Sequence, residues 1–242
     1  MKDVLFIQFY GQTGSGWFDL CNGFSDTWDL CRSKGDFLWI GILAAVVFFI
    51  VSPWTNPIFI KATSSHPYIG GYIKFFILAT MGELLAIRIR EKNWRKPLGV
   101  IYRAILWGFF GMLITLIFQL FAGGVVACLS KGYLPGRNSK LAFAFFTATL
   151  MNIFYAPVFM GIHKCTDTYI DLKCGGTNPS FNDVLEAADW NTFVNFVLLK
   201  TIPFFWIPAH TITFLLPGEY RIIVAAFLSI ALGALLAFAK RK

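Results

Sequence analysis

Six polar residues stand inside runs that are otherwise apolar: Glu83, Arg103, Gln119, Asn152, His210 and Arg221. Charged and amide side chains are costly in hydrocarbon and persist there when they face a protein interior or a water-filled cavity. A carboxylate, two guanidiniums, two amides and an imidazole can bind, orient and pass a small solute or ion. None of them is a ready nucleophile. The chain carries no Gly-x-Ser-x-Gly, no phosphate-binding glycine loop, no His-Glu-x-x-His and no Cys-x-x-Cys. No catalytic residue is assigned, and the protein is expected not to be an enzyme. His210 has no cysteine or second histidine near it in sequence, so neither a metal nor a cofactor is expected.

The stretch KTIPFFWIPAHTITFLLPGEYR, residues 200–221, gathers His210 and Arg221 with three prolines, Pro203, Pro208 and Pro217. Proline lacks the backbone donor and its ring displaces the preceding turn, so each one breaks or kinks an apolar helix. Pro157 is expected to do the same further upstream. The freed carbonyls need protein or water as partners, and transporters use such breaks near the bilayer midplane. Trp206, His210 and Thr213 fall one turn apart on a common helical face, suited to lining an interior.

The elements that must hold these residues follow from composition. The chain has 242 residues, 57% hydrophobic, 18% aromatic and only 14% charged, with mean hydropathy +0.63. Soluble domains carry about 25% charged residues. The net charge of +8 comes from residues that flank apolar runs, not from an aromatic-interleaved basic surface, which argues against nucleic acid. The lipid bilayer is the expected environment. A span needs about 20 apolar residues, and candidates lie at 37–51, 72–87, 98–129, 141–162, 193–216 and 222–239. The first is expected to break near Pro53 and Pro57. The fold expected is all-α: a polytopic transmembrane helix bundle of five to six spans with proline-broken C-terminal helices. Residues 1–35 form a polar leader at the membrane surface, and 36–242 a single transmembrane domain.

Arg88, Arg90, Lys92, Arg95 and Lys96 make the densest basic cluster, which places that loop on the cytoplasmic side. An even count of spans puts both termini there too. Lys131, Arg137 and Lys140 fall opposite. Residues 163–189, rich in Asp167, Asp171, Asp183, Glu186 and Asp189, are expected to form a polar loop with a short helix capped by Ser180 or Asn182. Ala104, Gly108, Gly111, Thr115, Gln119 and Ala122 share one face of the third span, and Gly108 and Gly111 offer a surface for a homo-oligomer. Cys21 with Cys31, and Cys165 with Cys174, could close short disulfides in an oxidising compartment; five unpaired thiols are the alternative. Residues 4–10 are too short for the core of a signal peptide, and the leader holds several aspartates, unlike a mitochondrial one. A prokaryotic cell membrane is favoured, with a mitochondrial or peroxisomal membrane as the alternative.

Trp206-Ile207-Pro208-Ala209-His210, then Thr213-Phe214, Pro217 and Tyr220-Arg221, resembles the carboxyl-terminal signature of the Mpv-seventeen and peroxisomal-membrane-protein-twenty-two family. There the pattern reads Trp-Pro-Pro-Ala-Gln, Asn-Phe, Pro, Tyr-Arg. Pro67 with Gly82-Glu83, Arg103 in its glycine-rich span, and Met151-Asn152 to Ala156-Pro157 echo three further blocks in order. Ile207, His210, Thr213 and Met151 depart from the family pattern. The resemblance implies an all-helical, channel-like integral membrane protein.

The function expected is a channel- or transporter-like passage of small solutes or ions, its interior lined by Glu83, Arg103, Gln119, Asn152, His210 and Arg221. A non-transporting membrane scaffold is the alternative.

Overall fold

The computed structural model describes the backbone of residues 25–239 and the side chains of residues 34–235. The surface leader, the Cys21–Cys31 pairing and the terminal Lys240-Arg241-Lys242 lie outside the described residues, apart from the backbone of 25–35, which belongs to the first helix. Among the described residues all regular structure is helical.

Helix α1, Ser25–Val51, ends where Pro53 stops it, and after a turn α2, Asn56–Ser65, starts with Pro57 in its first turn. A proline there loses no helical hydrogen bond. Helix α3, Pro67–Glu91, opens on a proline in the same way and ends at Lys92 in the left-handed conformation (φ 57°). Gly99 (φ 64°) then leads into α4, Val100–Ser130. Helix α5, Lys140–Phe154, is separated from α6, Ala156–Cys174, by a break at Tyr155 with Pro157 in the first turn beyond it, and the two axes meet at 47°. A short helix α7, Phe181–Ala187, is closed at its start by a capping box between Ser180 and Asp183. A turn, α8 (Trp190–Thr192), leads into a π-helical segment, Phe193–Trp206, that contains Pro203. Helix α9, Ile207–Leu215, has Pro208 in its first turn, and Pro217 separates it from α10, Gly218–Ala239.

Helix α3 is the axis of the bundle. Its neighbour α4 runs antiparallel: Gly71 meets Gly111 and Thr115 near one end, and Glu83 meets Arg103 near the other. Helix α10 runs parallel to it, since Lys74 and Tyr220 both pack on Phe59 while Gly82 lies against Ser229. Both crossings are close because glycine makes them so. A Cβ on Gly111 would sit 2.3 Å from the Gly71 carbonyl oxygen, and one on Gly233 would sit 2.8 Å from that of Gly82. Small residues let helix backbones approach where no hydrophobic effect drives them together. Helices α5 and α9 pair antiparallel, Phe143 against Phe214 and Asn152 against His210. The buried core of Leu78, Phe118, Ala144, Ala148 and Phe214 joins the two pairs.

Four helical stretches are long and apolar enough to cross a membrane: Lys34–Val51, Val100–Ser130, Trp190–Leu215 and Gly218–Leu235. The bent α5–α6 pair raises the count to five. The expected span at 72–87 is not among them. It lies in α3, which carries Lys74, Glu83, Arg88, Arg90 and Glu91, packs closely on α4 and α10, and leaves Ile69, Ile73 and Phe76 exposed. Phe48, Phe109, Leu120, Phe204 and Ile212 are exposed around the outside, an apolar surface of the kind that lipid covers. One expectation is corrected here. The span expected at 141–162 does not give way to a loop at His163; after its bend the helix continues to Cys174.

Candidate functional site

The extension of α6 creates a site that the polar residues of 163–171 conceal in sequence. His163, Asp167 and Asp171 recur every four residues, one face of a helix. That face looks at Arg103 on α4, whose side chain is 7% exposed. Arg103 Nη1 pairs with Asp167 Oδ1 at 2.9 Å and with Glu83 Oε1 of α3 at 3.4 Å. Its Nη2 donates to Asp171 Oδ1, and its Nε donates to the Leu98 carbonyl at 3.3 Å. Asp167 is shared in turn with His163, whose Nδ1 lies 3.2 Å from Oδ2. The imidazole packs on the Trp107 ring at 4.5 Å between centroids, and its Nε2 is buried with no hydrogen-bond partner.

One guanidinium therefore serves three carboxyl groups. The network is short of positive charge unless a proton or a further cation joins it, because unpaired charge is costly away from water. Lys164 lies nearby on α6 without forming an ion pair to these groups. Among the described residues no group of His, Cys, Asp and Glu is arranged to hold a metal ion. Arg103 is the fourth residue of α4, so the network sits at the end of the bundle that carries the basic loop 88–96. Arg88 there holds Asp36 of α1 through two hydrogen bonds of 2.8 Å, and Trp94 Nε1 donates to the same carboxylate.

A second polar group lies deeper. Asn152 Nδ2 donates to the Ala148 carbonyl at 2.8 Å and sits 2.9 Å from His210 Nδ1. The first bond identifies that atom as the amide nitrogen, so the imidazole accepts at Nδ1 and carries its proton on Nε2. His210 stacks on Trp206 at 5.2 Å and meets the Phe118 ring edge-on. Phe118 lies fifteen residues beyond Arg103 on α4, about 22 Å along a helix. Two polar centres thus occupy different depths.

The expected lining set is divided by this arrangement. Glu83 and Arg103 meet in the first centre, Asn152 and His210 in the second. Gln119 is exposed on the outer surface of α4, one residue round from buried Phe118. It does not share the buried face of Gly108, Gly111, Thr115 and Ala122, because at 3.6 residues per turn it falls about 60° off that stripe, where Phe118 takes the buried position. Arg221 is remote from Glu83: its Nε donates to the Leu216 carbonyl, and its guanidinium lies over Phe143 and Phe214. The Gly108/Gly111 face is filled within the chain, by Tyr72 and Gly71 of α3. Cys165 and Cys174 are both free thiols. His163, Asp167 and Asp171, which the sequence reading left in a loop, complete the charged centre. The i, i+4, i+8 spacing was the available signal. No family model, curated protein or solved structure matches the chain.

Proposed function

We propose that this chain is an integral membrane protein that passes small solutes or ions, by a transporter-like mechanism and not as a permanently open channel. The carrying observation is the buried network of Arg103 with Glu83, Asp167 and Asp171, which ties α3, α4 and α6 together at one end of an apolar bundle. Ionisable groups inside a membrane bundle usually line a substrate or proton pathway. A network joining three helices can also open when its charge balance changes. Between it and the Asn152–His210 pair lie Trp107, Phe110 and the tight Gly71–Gly111 crossing, packing that favours a gated path over a permanently open one. The resemblance of residues 206–221 to the Mpv-seventeen and peroxisomal-membrane-protein-twenty-two family supports the same reading.

The test is flux in proteoliposomes containing the purified protein, followed for protons, monovalent ions and neutral solutes. Wild-type protein should carry at least one of them, and Asp171→Asn should change the rate or the selectivity. A folded sample that carries none, at any voltage or pH, sinks the proposal. The closely packed glycine crossings favour a second reading, a membrane scaffold that moves nothing, and that silent outcome would select it.

A further inference from the structure

Three buried polar atoms without partners gather around the junction of α5 with the π segment and α9. They are Thr149 Oγ1 on α5, Tyr155 Oη at the break that ends it, and Trp206 Nε1 at the end of the π segment. A buried donor or acceptor without a partner is destabilising, and native structures nearly always satisfy it with protein or bound solvent. Their positions are not scattered. Asn152 and His210 are hydrogen-bonded across the antiparallel α5–α9 pair. Tyr155 lies three residues beyond Asn152 and Trp206 four residues before His210, both about one turn toward the charged end. The backbone positions of Tyr155 and Trp206 are therefore at about the same depth, with the Asn152–His210 bond about one turn farther in. Thr149 lies one turn on the other side of Asn152.

The backbone here is unusual as well. The π segment is fourteen residues long, and π-helical turns occur chiefly at functional positions. Pro203 within it has no N–H, so the carbonyl it would have served lacks that donor. Pro208 repeats the loss at the start of α9. No charged side chain contributes to this group. Arg221 is held at the far end by Leu216 and two aromatic rings, and Lys200 is exposed.

We infer that the Tyr155–Trp206 level, floored by the Asn152–His210 pair, is a binding site for a small uncharged solute bearing hydroxyl or carbonyl oxygens. The chemistry selects that class. The indole N–H only donates, and so requires an oxygen acceptor. The Tyr155 hydroxyl donates or accepts, which suits a polyol or amide. With no charge present, an ion entering the site would lose its hydration without compensation. The inference deepens the transport reading, on which its physiological role rests; the binding itself does not depend on it.

Glycerol and erythritol are the probes. Trp206→Phe keeps the ring stacked on His210 but removes the donor, and Tyr155→Phe removes only the hydroxyl. In detergent, each probe should protect wild-type protein against thermal unfolding more than it protects either variant, the difference isolating the site from general osmolyte effects. In proteoliposomes, stopped-flow light scattering should show glycerol entry about five- to tenfold slower for each variant, the loss expected for one hydrogen bond. If both variants simply melt higher than wild type and respond to the probes as wild type does, the atoms line a dry core and the inference is overturned. Glycerol flux that neither substitution alters would overturn it too while leaving transport intact. Differential protection without any flux would uphold the site and remove the transport reading.

Discussion

The two polar centres are built on opposite plans. Around Arg103, ionisable groups from α3, α4 and α6 crowd together, and each one depends on the others for its charge balance. Around Asn152 and His210, the groups are neutral, few and only partly satisfied. The first centre lies near the helix ends, where water and the basic loop are close; the second lies in the middle of the α5–α9 pair. The contrast follows from the energy of desolvation. Charge survives burial near an aqueous edge when it is multiply paired, whereas deep in the bundle only neutral hydrogen-bonding groups are tolerable.

The largest effect should come from the charged centre. Arg103→Met removes the cation that forms ion pairs with Glu83, Asp167 and Asp171, and leaving a buried network uncompensated costs about 3–5 kcal/mol. The expected outcome is a collapse of folded yield, visible by size-exclusion chromatography and thermal melting. Replacing Glu83 with Gln in the same chain should recover part of that loss, because it removes one of the stranded charges.

Between the two centres lies the α3–α4 crossing. Gly111→Ala places a methyl group 2.3 Å from the Gly71 carbonyl oxygen and 2.7 Å from Phe75 Cβ, and neither can step aside as a flexible side chain would. Overpacking of this kind costs about 1–3 kcal/mol. Gly123→Ala, on the same helix with nothing within 4 Å, should cost nothing. Equal melting temperatures for the two variants would show that the crossing is looser than described.

The neutral centre should respond less. Asn152→Leu strands His210 Nδ1 without its donor, and an unpaired buried acceptor costs about 1–3 kcal/mol, offset in part by the added apolar contact. Asn152→Leu combined with His210→Phe should be closer to wild type than either single change. Additive losses in that double-mutant cycle would mean that the pair is not coupled. Gln119→Leu, on the exposed surface beside buried Phe118, should stay within about 0.5 kcal/mol and leave transport unchanged.

The smallest effect is a matter of pH. Ser180 hydrogen bonds hold the Asp183 carboxyl below its usual range, backbone N–H first and hydroxyl second. A carboxyl depressed in the folded state stabilises it above the ordinary carboxylate pKa, and that contribution fades as pH falls through the depressed value. The protection factor for hydrogen exchange at the start of α7, the rate of an unstructured peptide at the same pH divided by the observed rate, should therefore fall under acid conditions, and Asp183→Asn should abolish the dependence.

Sequence alone determined the helical, membrane-like character of the chain, since scarcity of charge and the length of the apolar runs depend on composition and local spacing. Of the prolines expected to break helices, Pro157 lies just past the bend at Tyr155 and Pro217 between two helices, whereas Pro203 and Pro208 lie inside the continuous helical stretch Trp190–Leu215. Ser180 as a cap was legible from local spacing. The pairing of polar groups was not. Gln119 shares a helical register with Gly111 and Thr115 on paper, but the angle at which α3 crosses α4 decides which of them is covered. His163, Asp167 and Asp171 read as loop because their polarity outweighed their period. Their burial depends on Arg103, which is sixty residues or more away in the chain. A charge buried in a bundle is tolerable only beside its partner, and which helices bring partners together is a property of packing.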